Sequence, residues 1–178
     1  MSEQQRGRRA IETGPTGKTV ADNLARLRKV RGFTTRQLSG LLERNGRPIP
    51  ASGITRMEKA ERQVTVDELV ALAVALRVNP AALLLPPTTE GDFEVTGAGR
   101  VNAQILWEWS DGERPLRVPD GDDGSAYADF QLQARPKYRR RYKTADKASR
   151  QLMANDGVRV VDDGNRIRVV FEEDDTDG

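Results

Sequence analysis

The segment GFTTRQLSGLLERNGRPIPASGITRMEK, residues 32–59, contains two predicted helices separated by a loop rich in proline and glycine. Thr34 and Gln37 have the spacing of a capping box, which marks the start of the first helix. Pro50 lies at or just before the start of the second helix, where proline does little harm, and that helix runs to Lys59. Three leucines of the first helix recur at helical spacing and are expected to face inward: Leu38, Leu41 and Leu42.

One further helix is predicted before this segment and two after it, so that residues 18–87 form a bundle of five short helices. The upstream helix ends at Gly32, a residue type that commonly follows the last helical turn. The fourth helix carries a continuous apolar stripe that is expected to face the core: Val66, Leu69, Val70, Ala73 and Leu76. The start signals of the first, fourth and fifth helices are Thr19-x-x-Asp22, Thr65-x-x-Glu68 and Asn79-Pro80.

The segment VNAQILWEWSDG, residues 101–112, is compatible with either a strand or a short helix. Its apolar residues alternate as in a strand, whereas Asn102 and Gly112 would cap a short helix, and we prefer the helix. Residues 127–155 are predicted to form two helical pieces, which are broken near Pro136 because proline cannot continue a helix.

The clearest strand pattern is VRVVDDGNRIRVVFEE, residues 158–173, in which two alternating runs joined across DDGN predict a β-hairpin. The expected fold is therefore mainly α, with a five-helix domain followed by a small α+β region that ends in this hairpin. The predicted organisation is a flexible N-terminal arm (1–17), the helical domain (18–87), an acidic linker with a short tryptophan-containing element (88–126), C-terminal helices and the β-hairpin (127–171), and an acidic tail (172–178).

The composition argues against catalysis. Cysteine and histidine are both absent, which removes thiolate chemistry, the commonest general base and the commonest metal ligands. No motif places a Ser–Lys pair or paired carboxylates, so we expect no enzymatic activity, no metal and no cofactor. No apolar run approaches the roughly 20 residues of a membrane span, and the N-terminus lacks the apolar region of a secretion signal, so a cytoplasmic protein is expected.

Charge is strongly segregated along the chain. Residues 1–31 hold eight basic and three acidic side chains, whereas residues 90–129 hold three basic and ten acidic ones. The basic run RPKYRRRYK, residues 135–143, has three possible roles: a second nucleic-acid contact, pairing with acidic segments of the same or another subunit, or a solvated surface. The partner of each charged segment must therefore be considered separately.

The five-helix segment resembles the Cro-like helix-turn-helix family, the XRE class that includes the lambdoid phage repressors. The likeness rests on NLARLRKVRGFTTRQLS, residues 23–39, with its Gly-apolar-Thr junction between helices. It also rests on ITRMEKAERQVTVDELVALAVALRVNPAALL, residues 54–84, with its Ile-x-x-apolar-Glu pattern. In such folds the second helix of the motif lies in the major groove of DNA, with its N-terminal residues at base edges.

The resemblance also implies roles for individual residues. Ile54 and Met57 would face inward, and Glu58 would tie the helix to neighbouring structure by pairing with an arginine. Base contacts are expected from four residues: Ala51, Ser52, Thr55 and Arg56. Phosphate contacts are expected from Thr35, Arg36, Lys59 and Arg62, and from two arginines of a loop that is longer than the usual turn, Arg44 and Arg47.

These expectations combine into a function. The chain is expected to be a sequence-specific DNA-binding transcriptional regulator, a repressor of phage, mobile-element or host genes, located at the nucleoid. Its partners would be double-stranded DNA and a second copy of itself, because proteins of this kind read pseudo-palindromic sites as dimers. The alternative is an antitoxin-like interaction module that binds a partner protein through its C-terminal half and regulates its own synthesis.

Overall fold

The structure, a computed structural model, describes residues 12–139, 158–162 and 167–171. These residues are mainly helical, and their strands form two antiparallel hairpins. The helices are α1 (Pro15–Val30), α2 (Thr35–Arg44), α3 (Ala51–Glu58), α4 (Val66–Leu76), α5 (Ala81–Leu84), α6 (Ala103–Ser110) and α7 (Ser125–Ala134). The strands are β1 (Asp92–Val95), β2 (Gly99–Asn102), β3 (Val158–Asp162) and β4 (Ile167–Phe171). Within the described ranges, no helix combines the length and the apolar character needed to cross a membrane.

Helix α1 begins five residues earlier than predicted. Gly14 is the N-cap and Pro15 is the first helical residue, where its fixed φ favours helix formation. Thr19 lies inside the helix, and its hydroxyl donates a hydrogen bond to the Pro15 carbonyl over 3.3 Å. The predicted capping box at Thr19 is therefore wrong, and residues 15–17 of the predicted arm are helical. Residues 1–11 of that arm lie outside the described residues.

The two other capping boxes are confirmed. The Thr34 hydroxyl accepts from the Gln37 backbone N–H over 3.1 Å, and the Gln37 side chain accepts from the Thr34 N–H over 2.8 Å. Thr65 and Glu68 form the same reciprocal pair at the start of α4. Gly32 follows α1 with a φ of +69°, the left-handed conformation that favours glycine after a helix.

The predicted apolar stripe of α4 is wrong for two residues. Val66 and Val70 are 78% and 47% exposed, and the core-facing side of the helix is formed by Leu72, Ala73, Ala75 and Leu76. Glu68, near the start of α4, is buried because Arg62 binds its carboxylate. The helix is therefore rotated from the predicted orientation, with three valines on its outer side: Val66, Val70 and Val74.

One hydrophobic core joins the first five helices. Helix α1 packs against α3, α4 and α5, and α2 packs against α3 and α4. The core side chains include Leu24, Leu38, Leu42, Ile54, Met57, Leu72, Leu76 and Leu83. The buried Asn23 side chain donates to the carbonyls of Leu83 and Leu85, over 3.1 and 2.7 Å, and so fixes the end of α5 to α1.

The chain divides into two compact units between Trp107 and Glu108. In the first unit, the β1–β2 hairpin follows the five helices and was not predicted from the sequence. The preference for a helix in residues 101–112 is confirmed for α6. The Asn102 side chain accepts from the Gln104 N–H just before this helix, and Gly112 follows the helix with a φ of +72°.

The second unit contains α7 and the β3–β4 hairpin. Helix α7 is followed by Pro136 and one turn of 3-10 helix, Lys137–Arg139, so the predicted break near this proline is confirmed. The predicted C-terminal hairpin is also confirmed, with Val160 opposite Val169 in an antiparallel register. The second predicted helical piece, beyond residue 139, and the acidic tail, 172–178, lie outside the described residues.

Candidate nucleic-acid interface

Helix α3 is held from inside and presents polar side chains outside. Ile54 and Met57 have no exposed surface, as expected for the inward side of the helix. Ser52 and Arg56 are exposed and stand four residues apart, so they share the outer side. Ala51 is half-buried, and so is Thr55, whose hydroxyl donates to the Ala51 carbonyl over 3.0 Å.

An ion pair fixes the end of α3 to α1. Arg28 Nε lies 2.5 Å from Glu58 Oε1, and Arg28 Nη2 lies 2.9 Å from Glu58 Oε2. The third guanidinium nitrogen, Nη1, donates to the Phe33 carbonyl over 2.7 Å, at the junction between α1 and α2. The hydrogen bonds that Arg28 donates to Glu58 raise the pKa of Arg28 above its ordinary value, against the opposing effect of burial. Glu58 therefore pairs with an arginine, as the resemblance implied.

The loop between α2 and α3 is anchored at both ends. After α2, Gly46 has a φ of +79°, and the Arg47 N–H donates to the Leu42 carbonyl over 2.9 Å. Before α3, the Ser39 hydroxyl donates to the carbonyl of the buried Ile49 over 2.6 Å. Neither Ser39 nor Ile49 was singled out from the sequence. The signal for Ile49 was an apolar side chain between two prolines, and Ser39 had no such signal.

The loop also lies close to the first turn of α3. A Cβ atom added at Gly53 would lie 3.4 Å from both Ile49 Cγ2 and Pro50 Cγ. These distances are at the limit of ordinary van der Waals contact, so an alanine side chain here would touch the loop and displace it little.

Three of the predicted DNA-contacting residues meet at one cavity. A cavity of about 240 Å³ lies beside the start of α3, and Ser52, Arg56 and Arg62 line it together with Gly53, Glu68 and loop residues 48–50. The Glu68 carboxylate pairs with Arg62. Ser52 and Arg56, both exposed, are the lining groups that suit the oxygen atoms of phosphates and bases.

Arg62 is partly withdrawn from solvent by Glu68. Its Nη2 lies 2.5 Å from Glu68 Oε1, and its side chain is 34% exposed, against 7% for Glu68. Burial by itself raises the pKa of Glu68, but the hydrogen bonds from Arg62 and Thr65 outweigh it and hold the pKa below its ordinary value. Arg62 therefore already has one partner, Glu68. Its contact with a DNA phosphate stays a prediction.

This pair predicts an acid-dependent loss of stability. Because the pKa of Glu68 is lower in the folded chain than its ordinary value of 4.5, the stabilisation by its ion pair is fully present above pH 4.5 and is lost as pH falls through the folded pKa. We expect Glu68→Gln to lower the free energy of unfolding by about 1–3 kcal/mol at pH 7, and to show a smaller further loss on acidification than the unchanged chain.

Urea unfolding at pH 7 and at several values below pH 4.5 measures this difference. Asp67→Asn is the matched control, since the neighbouring carboxylate is 82% exposed and should contribute little. An equal acid sensitivity in the Glu68→Gln variant would contradict the assignment.

The remaining predicted phosphate contacts lie on α2, in the loop and after α3. Arg36 and Arg44 are exposed and line one groove on α2, whereas Thr35, the first residue of the helix, is half-buried. Arg47 is exposed in the loop, with its Nη2 3.9 Å from an oxygen of the exposed Asp67. Lys59 is exposed directly after α3.

The basic run at residues 135–143 is described only as far as residue 139. Arg135 donates to the carbonyls of Asp111 and Arg139, so its guanidinium group is engaged within the second unit. In the ranges that the structure describes, no three carboxylate, histidine or cysteine side chains come together as a possible metal site. Comparisons of the chain with models of protein families, with curated proteins and with solved structures give no match.

Proposed function

We propose that this chain is a sequence-specific DNA-binding transcriptional regulator in which α2, the anchored loop and α3 act as a helix-turn-helix of the Cro-like, XRE class. The observation that carries the proposal is the arrangement of α3. Its inner side is locked by two buried side chains and by the Arg28–Glu58 pair, and its outer side presents Ser52 and Arg56 beside a cavity that Arg62 also lines. A rigid helix with exposed polar groups near its start is what base readout requires.

Affinity and sequence preference come from different residues in this proposal. Arg36, Arg44 and Arg47 neutralise phosphates and release counterions, so binding weakens steeply as salt rises. Arg56 supplies the main base contact, because its guanidinium group can donate two hydrogen bonds to guanine O6 and N7. Ser52, Thr55 and Ala51 add a hydroxyl donor, acceptor oxygens and a methyl contact to thymine.

The chain would act as a repressor by occupying its site. A homodimer on two half-sites doubles the contacts and matches a pseudo-palindromic operator to the two-fold symmetry of the protein. The C-terminal hairpin and helices would contribute to dimerisation or bind a partner protein.

Selection of bound sequences from a random pool of double-stranded DNA tests the function. The proposal requires enrichment of a defined site of two related half-sites, whose separation gives the spacing of the two copies. Recovery of a pool with no preferred sequence, at a salt concentration where binding is still measurable, would overturn it.

Arg56→Ala tests the readout by α3. We expect a loss of about 1–3 kcal/mol of discrimination at one base pair of the selected site, because one bidentate contact is removed. Affinities for the selected site and for its single-base variants give this value. The matched comparison is Arg44→Ala with Arg47→Ala, which should weaken binding to every sequence alike and flatten its salt dependence. If Arg56→Ala behaved like that double variant, the base contact would be assigned to the wrong residue.

A further inference from the structure

Helix α4 has an apolar outer side that the described part of the chain leaves exposed. Val66, Val70 and Val74 stand at intervals of four residues and are 78%, 47% and 61% exposed, while Leu72 and Leu76 on the inner side have no exposed surface. The three valines, here called the valine ridge, lie along one line of the helix surface. Valine is not a strong helix former, so local helix stability does not account for three of them in exposed positions.

Opposite charges stand at the two ends of the valine ridge. The Asp67 side chain, in the first turn of α4, is 82% exposed, and its nearest basic group is the exposed Arg47 at 3.9 Å. Such an exposed pair contributes little, so the Asp67 carboxylate can take part in a better one. Arg77 is exposed directly after the last residue of α4. The outer side of α4 thus runs from a negative start, through apolar residues, to a positive end.

The outer side of α4 is self-complementary in an antiparallel pair, because the negative start of each helix then lies beside the positive end of the other. In two antiparallel helices related by a two-fold axis, residues at equal distances on either side of the axis face each other. Asp67 and Arg77 are equally far from residue 72, and so are Val70 and Val74. One register therefore brings both the opposite charges and the valines together, and the symmetry produces each contact twice.

We propose that the valine ridge is a homodimer surface, on which α4 packs antiparallel against α4 of a second copy of this chain. Val70 of each copy lies against Val74 of the other, and Asp67 of each copy pairs with Arg77 of the other. A second copy fits this surface better than an unrelated partner, because the apolar and charged positions satisfy one another without any further chemistry.

The size of the surface indicates a dimer of modest affinity. Helix α4 has 11 residues, a length of roughly 16 Å, and one such helix pair buries less than the ~800 Å² per partner of a standard interface. Binding of two copies to adjacent half-sites would strengthen the same contact by raising their effective concentration. That role on DNA rests on the proposed function, whereas the dimer surface itself does not.

Sedimentation of the full chain over a range of concentrations, in the absence of DNA, tests the proposal. Val70→Ser with Val74→Ser should raise the dimer dissociation constant about tenfold or more, because apolar contacts at the centre of the surface are lost. Serine and valine have similar helix propensities, so α4 should remain folded, which circular dichroism can verify. The control is Val30→Ser, which changes a valine of similar exposure, 73%, at the end of α1 and should leave the constant unchanged.

Charge reversal tests the register. Asp67→Arg and Arg77→Asp should each weaken the dimer severalfold, and the two together should restore it to within about threefold of the unchanged chain, because each pair is then remade with reversed sign. A monomer at every concentration, insensitivity to the serine variant, or failure of the double reversal to restore association would each overturn the proposal.

These outcomes are distinct from failure of the proposed function. A chain that dimerises through α4 but selects no DNA sequence would overturn the regulatory function alone. If the chain bound DNA sequence-selectively but its dimer dissociation constant did not change in the valine variants, the dimer surface alone would be overturned.

Discussion

Arg28→Ala is expected to lower the free energy of unfolding by about 3–5 kcal/mol, because it breaks a largely buried ion pair and leaves one charge without its partner. The substitution leaves the Glu58 carboxylate without its partner in a site where the two side chains are only 14% and 12% exposed. It also removes the donor to the Phe33 carbonyl, and so loosens the junction between α1 and α2. Urea unfolding followed by circular dichroism measures the loss.

The double variant Arg28→Met with Glu58→Met separates the cost of an unpaired charge from the value of the pair. Replacing both partners by apolar side chains should cost much less than removing one, because no charge is then left buried. The exposed Arg36 provides the control, since Arg36→Ala should stay within about 0.5 kcal/mol of the unchanged chain. A loss of less than about 1 kcal/mol for Arg28→Ala would show that the pair does not fix α3.

Ile54→Ala is expected to cost about 2–5 kcal/mol, because it removes a fully buried side chain from the core and leaves a cavity. The loss should be accompanied by weaker DNA binding, since Ile54 is one of the two residues that hold α3 from inside. Thermal and urea unfolding measure the first effect, and affinity for the selected site measures the second.

Ser52→Ala is the control for this change, because Ser52 lies two residues earlier on the exposed side of the same helix. It should leave stability within about 0.5 kcal/mol while altering only the contact with DNA. Equal destabilisation by Ile54→Ala and Ser52→Ala would contradict the orientation of α3.

The sequence predicts local features well when one short-range interaction decides them. The capping boxes at Thr34 and Thr65 form as predicted because both partners lie within three residues of each other. The same pattern fails at Thr19, since a proline four residues earlier already starts the helix and places that threonine inside it. A capping pattern therefore marks a possible start, and the residues before it decide whether the helix begins there.

The orientation of α4 could not be predicted from periodicity. Apolar residues occupy most positions of this helix, so the sequence pattern is equally compatible with several orientations of the helix relative to the core. The choice depends on Glu68, whose buried carboxylate accepts hydrogen bonds from Arg62 and Thr65, both outside the helix. The β1–β2 hairpin was missed for a related reason, because each strand has only four residues and packing against α1 helps to hold it.

In the candidate site, too, periodicity predicts some features, whereas others depend on packing. The outward position of Ser52 and Arg56 follows from their spacing relative to the inward Ile54. The bond from Ser39 to the Ile49 carbonyl, and the close approach of the loop to Gly53, depend on the path of a loop that no repeating pattern describes. Periodicity therefore predicts the outer side of α3, the helix proposed to read DNA, but it does not predict how the preceding loop is held.

The double anchoring of that loop has an evolutionary consequence. The hydrogen bonds of Arg47 and Ile49 hold the chain on both sides of the exposed Pro48, so we expect residues inserted there to leave α2 and α3 in place. The entropic cost of a longer loop grows slowly, by about 0.6 kcal/mol for each doubling of length. Under the proposed function, inserted basic side chains would strengthen binding to DNA of any sequence. The preferred DNA sequence, which α3 sets in that proposal, would stay unchanged.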